Sequence, residues 1–207
     1  MKTSNLVIPL SWLVTFGLLP ACSSSSDKTA TDASSSGTHP TGPGTAQLPA
    51  MGATEITAWL KGGDYLNWTC EPTVHAARSP SPHGFNRICS NALLSQNATA
   101  TGAWPEGVAA VKELHASADA AVDSDPVGYA VYVKTKADSA GGANWYWYET
   151  VPLDSAAPHD ATGLVADGLG DGGPAKDICV SCHGAAGSDA PHTPSVGGRD
   201  QVYTPVH

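Results

Sequence analysis

The stretch Asn144-Trp145-Tyr146-Trp147-Tyr148-Glu149-Thr150 decides the fold class of this chain. Aromatic residues favour β-strands, and successive side chains of a strand point to opposite faces. Trp145 and Trp147 therefore share one face, and Tyr146 and Tyr148 share the other. We predict a strand over this stretch, with most of its aromatic side chains packed in the core.

The segments before this strand carry related patterns. Alternation of apolar and polar residues predicts strands over residues 107–115 and 128–135, and residues 85–90 predict a further strand. Gly141-Gly142 lies between the last two strands and predicts a hairpin turn. Strands that follow one another at such short spacing predict an antiparallel sheet.

Helices are few and short. Residues 54–61 predict one helix, because their apolar side chains recur on one helical face, and Gly62-Gly63 predicts its end. Asn91 is a favourable N-cap and predicts a second helix that runs through Leu94.

The C-terminal part of the chain has less pattern. Residues 151–173 are rich in proline and glycine and predict irregular structure. Residues 174–178 can start a short helix that Gly184 can end, and residues 200–204 predict a last short strand. The predicted fold class is mainly β (α+β): an antiparallel sheet, a few short helices and a C-terminal helix that carries a cofactor motif.

That motif is Cys179-Val180-Ser181-Cys182-His183. Two cysteines separated by two residues, with a histidine directly after the second, match the attachment signature of a c-type haem. Each sulfur can bond one haem vinyl group, and the histidine can bind the iron from the proximal side. We predict one covalent haem c per chain on Cys179 and Cys182, with His183 as the iron ligand.

Two other sites use closely spaced cysteines. A structural zinc site needs a second ligand pair, but the remaining cysteines, Cys70 and Cys89, are not close in sequence. A thioredoxin-like redox site needs a βαβ context, which the predicted strands do not provide. The sequence therefore favours haem attachment over both alternatives.

The N-terminal segment predicts export. Residues 1–22 combine a lysine with an apolar run and end in Leu19-Pro20-Ala21-Cys22, which resembles a bacterial lipobox. The resemblance implies that Cys22 carries lipid and that Ser23 permits sorting to the outer membrane of a Gram-negative bacterium. The alternative is an ordinary signal with a chance cysteine. Residues 23–50 are rich in Ser, Thr, Ala, Gly and Pro and predict a flexible tether.

Residues 51–207 fit a single domain. The net charge of −9 and the pI of about 5.1 argue against a nucleic-acid partner. In an exported, oxidising compartment we expect Cys70 and Cys89 to form a disulfide, although two unrelated buried thiols are the alternative.

Four blocks of the domain resemble the cytochrome P-460 family, which includes the beta-sheet form of cytochrome c-prime. The blocks are His83-Gly84, the strand from Trp104 to Leu114 that contains Val111-Lys112-Glu113-Leu114, the aromatic strand, and the haem motif followed by residues 200–204. The resemblance implies a mostly antiparallel β domain, often dimeric, with a proximal histidine and an open opposite face of the iron. Members bind small nitrogen ligands such as nitric oxide, and some oxidise hydroxylamine.

In the hydroxylamine-oxidising members a lysine of the matching strand is joined covalently to the haem edge, and the residue at that position here is Lys112. The residues themselves leave alternatives open, because a lysine that shares a face with Ala110 and Leu114 can also extend to solvent or pair with a carboxylate.

The chain departs from those members at the position of their distal carboxylate, which our matching places at or near Ala130. An alanine cannot act as the base that removes a proton from a nitrogen substrate. We expect Trp104 and the strand aromatics to leave a dry distal pocket for a neutral diatomic ligand. Binding of nitric oxide is the first hypothesis. A hydroxylamine-oxidising enzyme and an electron carrier for an unidentified redox partner are the alternatives.

Overall fold

The computed structural model describes residues 48–78, 81–99, 103–186, 199–203 and 206. The predicted signal, including Cys22, and nearly all of the predicted tether lie outside these residues. Among the described residues, no helix has the length and apolar character needed to cross a membrane.

The domain is built on one antiparallel sheet, as the sequence predicts. Its strands are β1 (Thr69–Cys70), β2 (His75–Ala76), β3 (Phe85–Ser90), β4 (Ala109–His115), β5 (Gly128–Lys134), β6 (Trp145–Thr150) and β7 (Leu164–Leu169). Six of the seven strands follow the order β1-β3-β4-β5-β6-β7, and the seventh, β2, also pairs with β3. The mainly β class is confirmed, and β3 to β6 lie close to their predicted bounds.

One face of the sheet is covered by the first helix, α1 (Ala53–Gly62), and a 3₁₀ turn, Asp64–Asn67. Ile56 and Leu60 are buried against the sheet. The helix ends at Gly63, whose φ of 72° is the left-handed conformation that glycine adopts without strain.

The opposite face is covered near the C-terminus. A π-helical turn, Ala175–Val180, continues into the short helix α3 (Ser181–His183), and we call the two together the motif helix. Ala175 and Cys179 pack on Trp145, Trp147 and Ala166 of this face. The helix α2 (Ala92–Gln96) begins after Asn91, whose side chain accepts a hydrogen bond from the backbone N–H of Leu94, as predicted.

Strand register fixes which side chains face the motif helix. Residues paired directly across an antiparallel sheet lie on the same face. One row runs across β3 to β7 and consists of Ile88, Lys112, Ala130, Glu149 and Ala166. The neighbouring row on the same face consists of Ser90, Ala110, Tyr132, Trp147 and Gly168.

Two predictions for the C-terminal part are wrong. Residues 151–173 include a strand, β7, which pairs with β6 along the sheet. Gly184 follows the last residue of α3 as its C-cap, as predicted, although its φ is −57° and a 3₁₀ turn comes next. In place of the predicted last strand, Arg199 and Val202 form an isolated bridge around a tight turn. Thr204 lies outside the described residues.

Cys70 and Cys89 form a disulfide, as predicted. Their Cα atoms are partners in the pairing of β1 with β3 and lie 3.9 Å apart. The bridge therefore joins the short strand β1, which follows α1, to the longer strand β3.

Candidate functional site

A cavity of about 250 Å³ lies between the sheet and the motif helix. Cys179, Cys182 and His183 of the motif helix line it. From the sheet, Lys112 and Glu149 also line it. The structure therefore brings the predicted haem-attachment residues and the predicted cross-linking lysine to one cavity.

His183 has the protonation state of an iron ligand. Its Nδ1 lies 2.6 Å from the carbonyl oxygen of Gln201. Since a carbonyl oxygen only accepts, Nδ1 carries the proton and Nε2 keeps its lone pair. Burial lowers the pKa of His183 to about 3, although the bond to Gln201 opposes that shift. The imidazole is therefore neutral at any physiological pH.

Aromatic rings hold the imidazole of His183 in place. Its centroid lies 4.6 Å from that of Trp147 and 5.6 Å from that of Tyr203. The Tyr203 hydroxyl in turn donates to the backbone carbonyl of Cys182 at 2.8 Å. Tyr132, with its ring 6.1 Å from the imidazole, adds a third apolar wall.

The two cysteines of the motif are free thiols that line the same cavity. Burial, more than any other cause, raises the pKa of Cys179 to about 12. A zinc ligand or an attacking redox thiol must be a thiolate, which this environment disfavours. Across the described residues, no group of three or more His, Cys, Asp or Glu side chains could hold a metal ion. A haem iron needs no such group, since its porphyrin supplies most of the ligands.

A network of polar contacts between His83, Lys112 and Glu149 borders the cavity. Nζ of Lys112 lies 2.9 Å from Nδ1 of His83, and Nε2 of His83 lies 3.5 Å from Oε1 of Glu149. Burial lowers the pKa of Lys112 to about 8, and the negative charges of Glu149 and Glu71 partly offset that effect. The amine is therefore much closer to neutrality than an exposed lysine.

Glu149 is a charged residue of the cavity that the sequence analysis did not single out. Ala130 does line the cavity at the position expected of a base, and it offers no carboxylate. However, it pairs with Lys112 on one side and with Glu149 on the other, so all three share one row of the sheet. The neighbouring strand supplies the carboxylate that Ala130 lacks. The signal was present in the alternation of residues 144–150, which puts Glu149 on the face of Trp147.

Trp104 does not line this cavity, in contrast to the expectation for a distal pocket residue. It is almost fully buried at 1% exposure, and the guanidinium of Arg199 lies 3.4 Å from its ring centroid. Its indole N–H donates to the Arg199 carbonyl at 2.7 Å. The aromatic walls of the cavity come instead from Tyr132, Trp147, Tyr148 and Tyr203.

The residues present fit a haem c. Two thiols and a neutral histidine reach one cavity, and most of its other lining is apolar. The indole N–H of Trp147 is buried and has no hydrogen-bond partner among the described residues. A buried donor of this kind gains free energy when a bound group supplies an acceptor.

No protein-family model matches the chain, and no curated protein sequence matches it significantly. The resemblance to the cytochrome P-460 family therefore rests on the sequence motifs alone.

Proposed function

We propose that this chain is a mono-haem c-type cytochrome of the cytochrome P-460 kind, which binds nitric oxide or a related small nitrogen ligand at an open iron face. The observation that carries the proposal is that Cys179, Cys182 and His183 line the same cavity as Lys112 and Glu149. The motif residues would hold the haem c through two thioethers and one axial nitrogen, and the sheet residues would border the ligand.

The bound haem supplies an iron that takes a sixth ligand and exchanges single electrons. The chain supplies the surroundings. His183 offers Nε2 while Gln201 holds its other nitrogen. Tyr132 and Trp147 exclude water from the proximal side, because they pack against the imidazole. A largely apolar cavity suits a small neutral ligand.

Glu149 supports a second candidate function, the oxidation of hydroxylamine. This reaction requires a base within reach of the N–H or O–H protons of the substrate. The Glu149 carboxylate lines the cavity and contacts His83 at 3.5 Å. It can take a proton from a nitrogen substrate and share it with His83, which also contacts Lys112. The presence of this carboxylate removes the main objection that the sequence raised against an enzyme.

Lys112 supports a covalent link to the haem edge, which the resemblance implies. A lysine amine reacts only when it is neutral, and burial that brings its pKa to about 8 raises the neutral fraction. The link would replace a C–H bond of the haem edge by a C–N bond, so two protons would leave and two electrons would pass to the redox partner. A link at this position would distort the macrocycle and tune the iron, which is one of the ways in which a protein controls a haem.

The N-terminal segment supports a location outside the cytoplasm. The lipobox at Cys22 and the tether of residues 23–50 support an exported domain that is anchored by lipid, most simply in the outer membrane of a Gram-negative bacterium. A redox partner would deliver or accept electrons, and the family resemblance supports a homodimer.

Optical spectroscopy of the purified holoprotein tests the proposal. We expect the reduced protein to change its Soret band when nitric oxide is added, because the sixth iron position is open. A spectrum of two axial histidines that nitric oxide leaves unchanged would contradict ligand binding and favour an electron carrier. A broad, red-shifted Soret band in the reduced protein would report the Lys112 link, and Lys112→Ala should then restore an ordinary c-type spectrum.

A further inference from the structure

A strained turn lies next to His183. Arg199 and Val202 exchange two backbone hydrogen bonds of 2.7 and 2.9 Å around Asp200 and Gln201. Asp200 has a φ of 46° and Gln201 a φ of 72°. Two successive positive φ values are typical of a type I′ turn, in which glycine or asparagine is usual. Aspartate and glutamine remain in such a conformation only where their surroundings hold them.

Asp200 is held by its side chain. Oδ2 accepts a hydrogen bond of 2.8 Å from Nζ of Lys134 and one of 3.1 Å from the backbone N–H of Trp104. The Lys134 side chain is 0% exposed and that of Asp200 only 8%. A charge-assisted pair that is shielded from water in this way fixes the position of both partners. It anchors the turn to β5 and to the loop before β4.

The turn places the backbone carbonyl of Gln201 against the imidazole of His183. The carbonyl oxygen of Gln201 lies 2.6 Å from Nδ1 of His183. The side-chain Oε1 of Gln201 is buried and has no hydrogen-bond partner within the described part of the chain. What Gln201 contributes to His183 is therefore its main chain. The left-handed backbone of Asp200 and Gln201 sets the direction of that carbonyl.

We propose that the buried Lys134–Asp200 pair is a positioning device for His183. The pair holds the turn so that the Gln201 carbonyl accepts from Nδ1, which orients Nε2 and raises its electron donation to a bound iron. Lys134 and Asp200 are thus positioning residues that act through Gln201. The inference rests on the proposed haem function. It adds residues outside the motif that set how strongly His183 would bind the iron.

A purely structural role is the competing explanation, since a buried ion pair can hold a fold together without influencing a ligand. The two roles differ in what they change. Loss of a structural pair lowers the melting temperature only. Loss of a positioning pair also changes the bond between His183 and the iron.

The test uses the full-length holoprotein and two variants. Asp200→Asn keeps an acceptor for the N–H of Trp104 and suits a left-handed residue, but it leaves the buried charge of Lys134 without its counter-charge. Lys134→Met combined with Asp200→Asn removes both charges and leaves neither one unpaired. The matched control is Lys136→Met combined with Asp119→Asn, which makes the same two changes at exposed positions.

Resonance Raman spectra of the reduced protein and the midpoint potential are the two readouts. In both variants we expect the iron–histidine stretch to move to lower frequency and the potential to become more positive, because a misdirected carbonyl makes His183 a weaker donor. The control should match the wild type. An unchanged stretch and potential in both variants would overturn the proposal. A wild type without covalent haem would instead contradict the proposed function, so the two failures are distinguishable.

Discussion

Nζ of Lys112 lies 2.9 Å from Nδ1 of His83, at the border of a cavity that is otherwise mostly apolar. The second ring nitrogen of His83 faces Glu149 at 3.5 Å. These three side chains therefore form one polar network at the border of the cavity. Within this network, the pKa of Lys112 is the property that a stability measurement can test.

Lys112 should give the domain a pH-dependent stability. Burial lowers its pKa from 10.5 to about 8 in the folded protein. The unfolded chain then binds more protons between about pH 8 and pH 10.5, so the contribution of Lys112 to stability rises with pH across this window. In protein prepared without haem, we expect wild type to gain up to ~3 kcal/mol relative to Lys112→Met across it. Denaturant unfolding at both ends of the window measures the difference. The exposed Lys136→Met is the control, and parallel pH profiles for all three proteins would refute the shifted pKa.

Loss of the Glu149 carboxylate should lower the rate of hydroxylamine oxidation and leave haem attachment nearly unchanged. We expect Glu149→Gln to lower any hydroxylamine oxidation by roughly 10²–10⁴-fold, which is the usual contribution of a positioned base. The haem content and the binding of nitric oxide should stay close to wild type. Glu106→Gln, at an exposed position, provides the control. Equal turnover rates in the two variants would exclude Glu149 as the base.

The Cys70–Cys89 disulfide should stabilise the domain. Its partners are 19 residues apart in sequence, and the loop-entropy relation gives about 3 kcal/mol for a loop of this length. Replacing both cysteines by alanine should lower the free energy of unfolding by that amount. Intact-mass measurement of unreduced protein after alkylation should find neither thiol modified. Alkylation of both would show that the bridge does not form.

Cys22 should carry lipid in the exported protein. Radiolabelled palmitate should enter wild-type protein in a Gram-negative host, and Cys22→Ser should remain unlabelled. Wild-type protein that is soluble and unlabelled would point to an ordinary signal with a chance cysteine.

The strands could be predicted from sequence where side chains alternate, and the exact bounds of β3 (Phe85–Ser90) are an example. The strand β7 could not, because Gly168 and Asp167 interrupt any apolar pattern and the pairing with β6 supplies the order. The residues Asp200 and Gln201 resembled a strand, but a tertiary contact to Lys134 holds them in a turn.

The candidate site was predictable only as far as its local motif. The spacing of Cys179, Cys182 and His183 is visible in the sequence, and so is the lysine of the Val-Lys-Glu-Leu stretch. The alternation of residues 144–150 gives the face of Glu149, but its place beside Ala130 and Lys112 depends on how β4, β5 and β6 are aligned. Register is a long-range property, and a single sequence does not display it.

The intact mass of the denatured holoprotein tests the central claim most directly. We predict that wild-type protein, expressed with a haem-attachment system, is heavier than the mature chain by one haem. Cys179→Ala combined with Cys182→Ala should remove that mass completely, whereas His183→Ala should leave covalently bound haem with an altered spectrum. Wild-type protein that carries no haem, or haem that persists after both cysteines are replaced, would contradict the account.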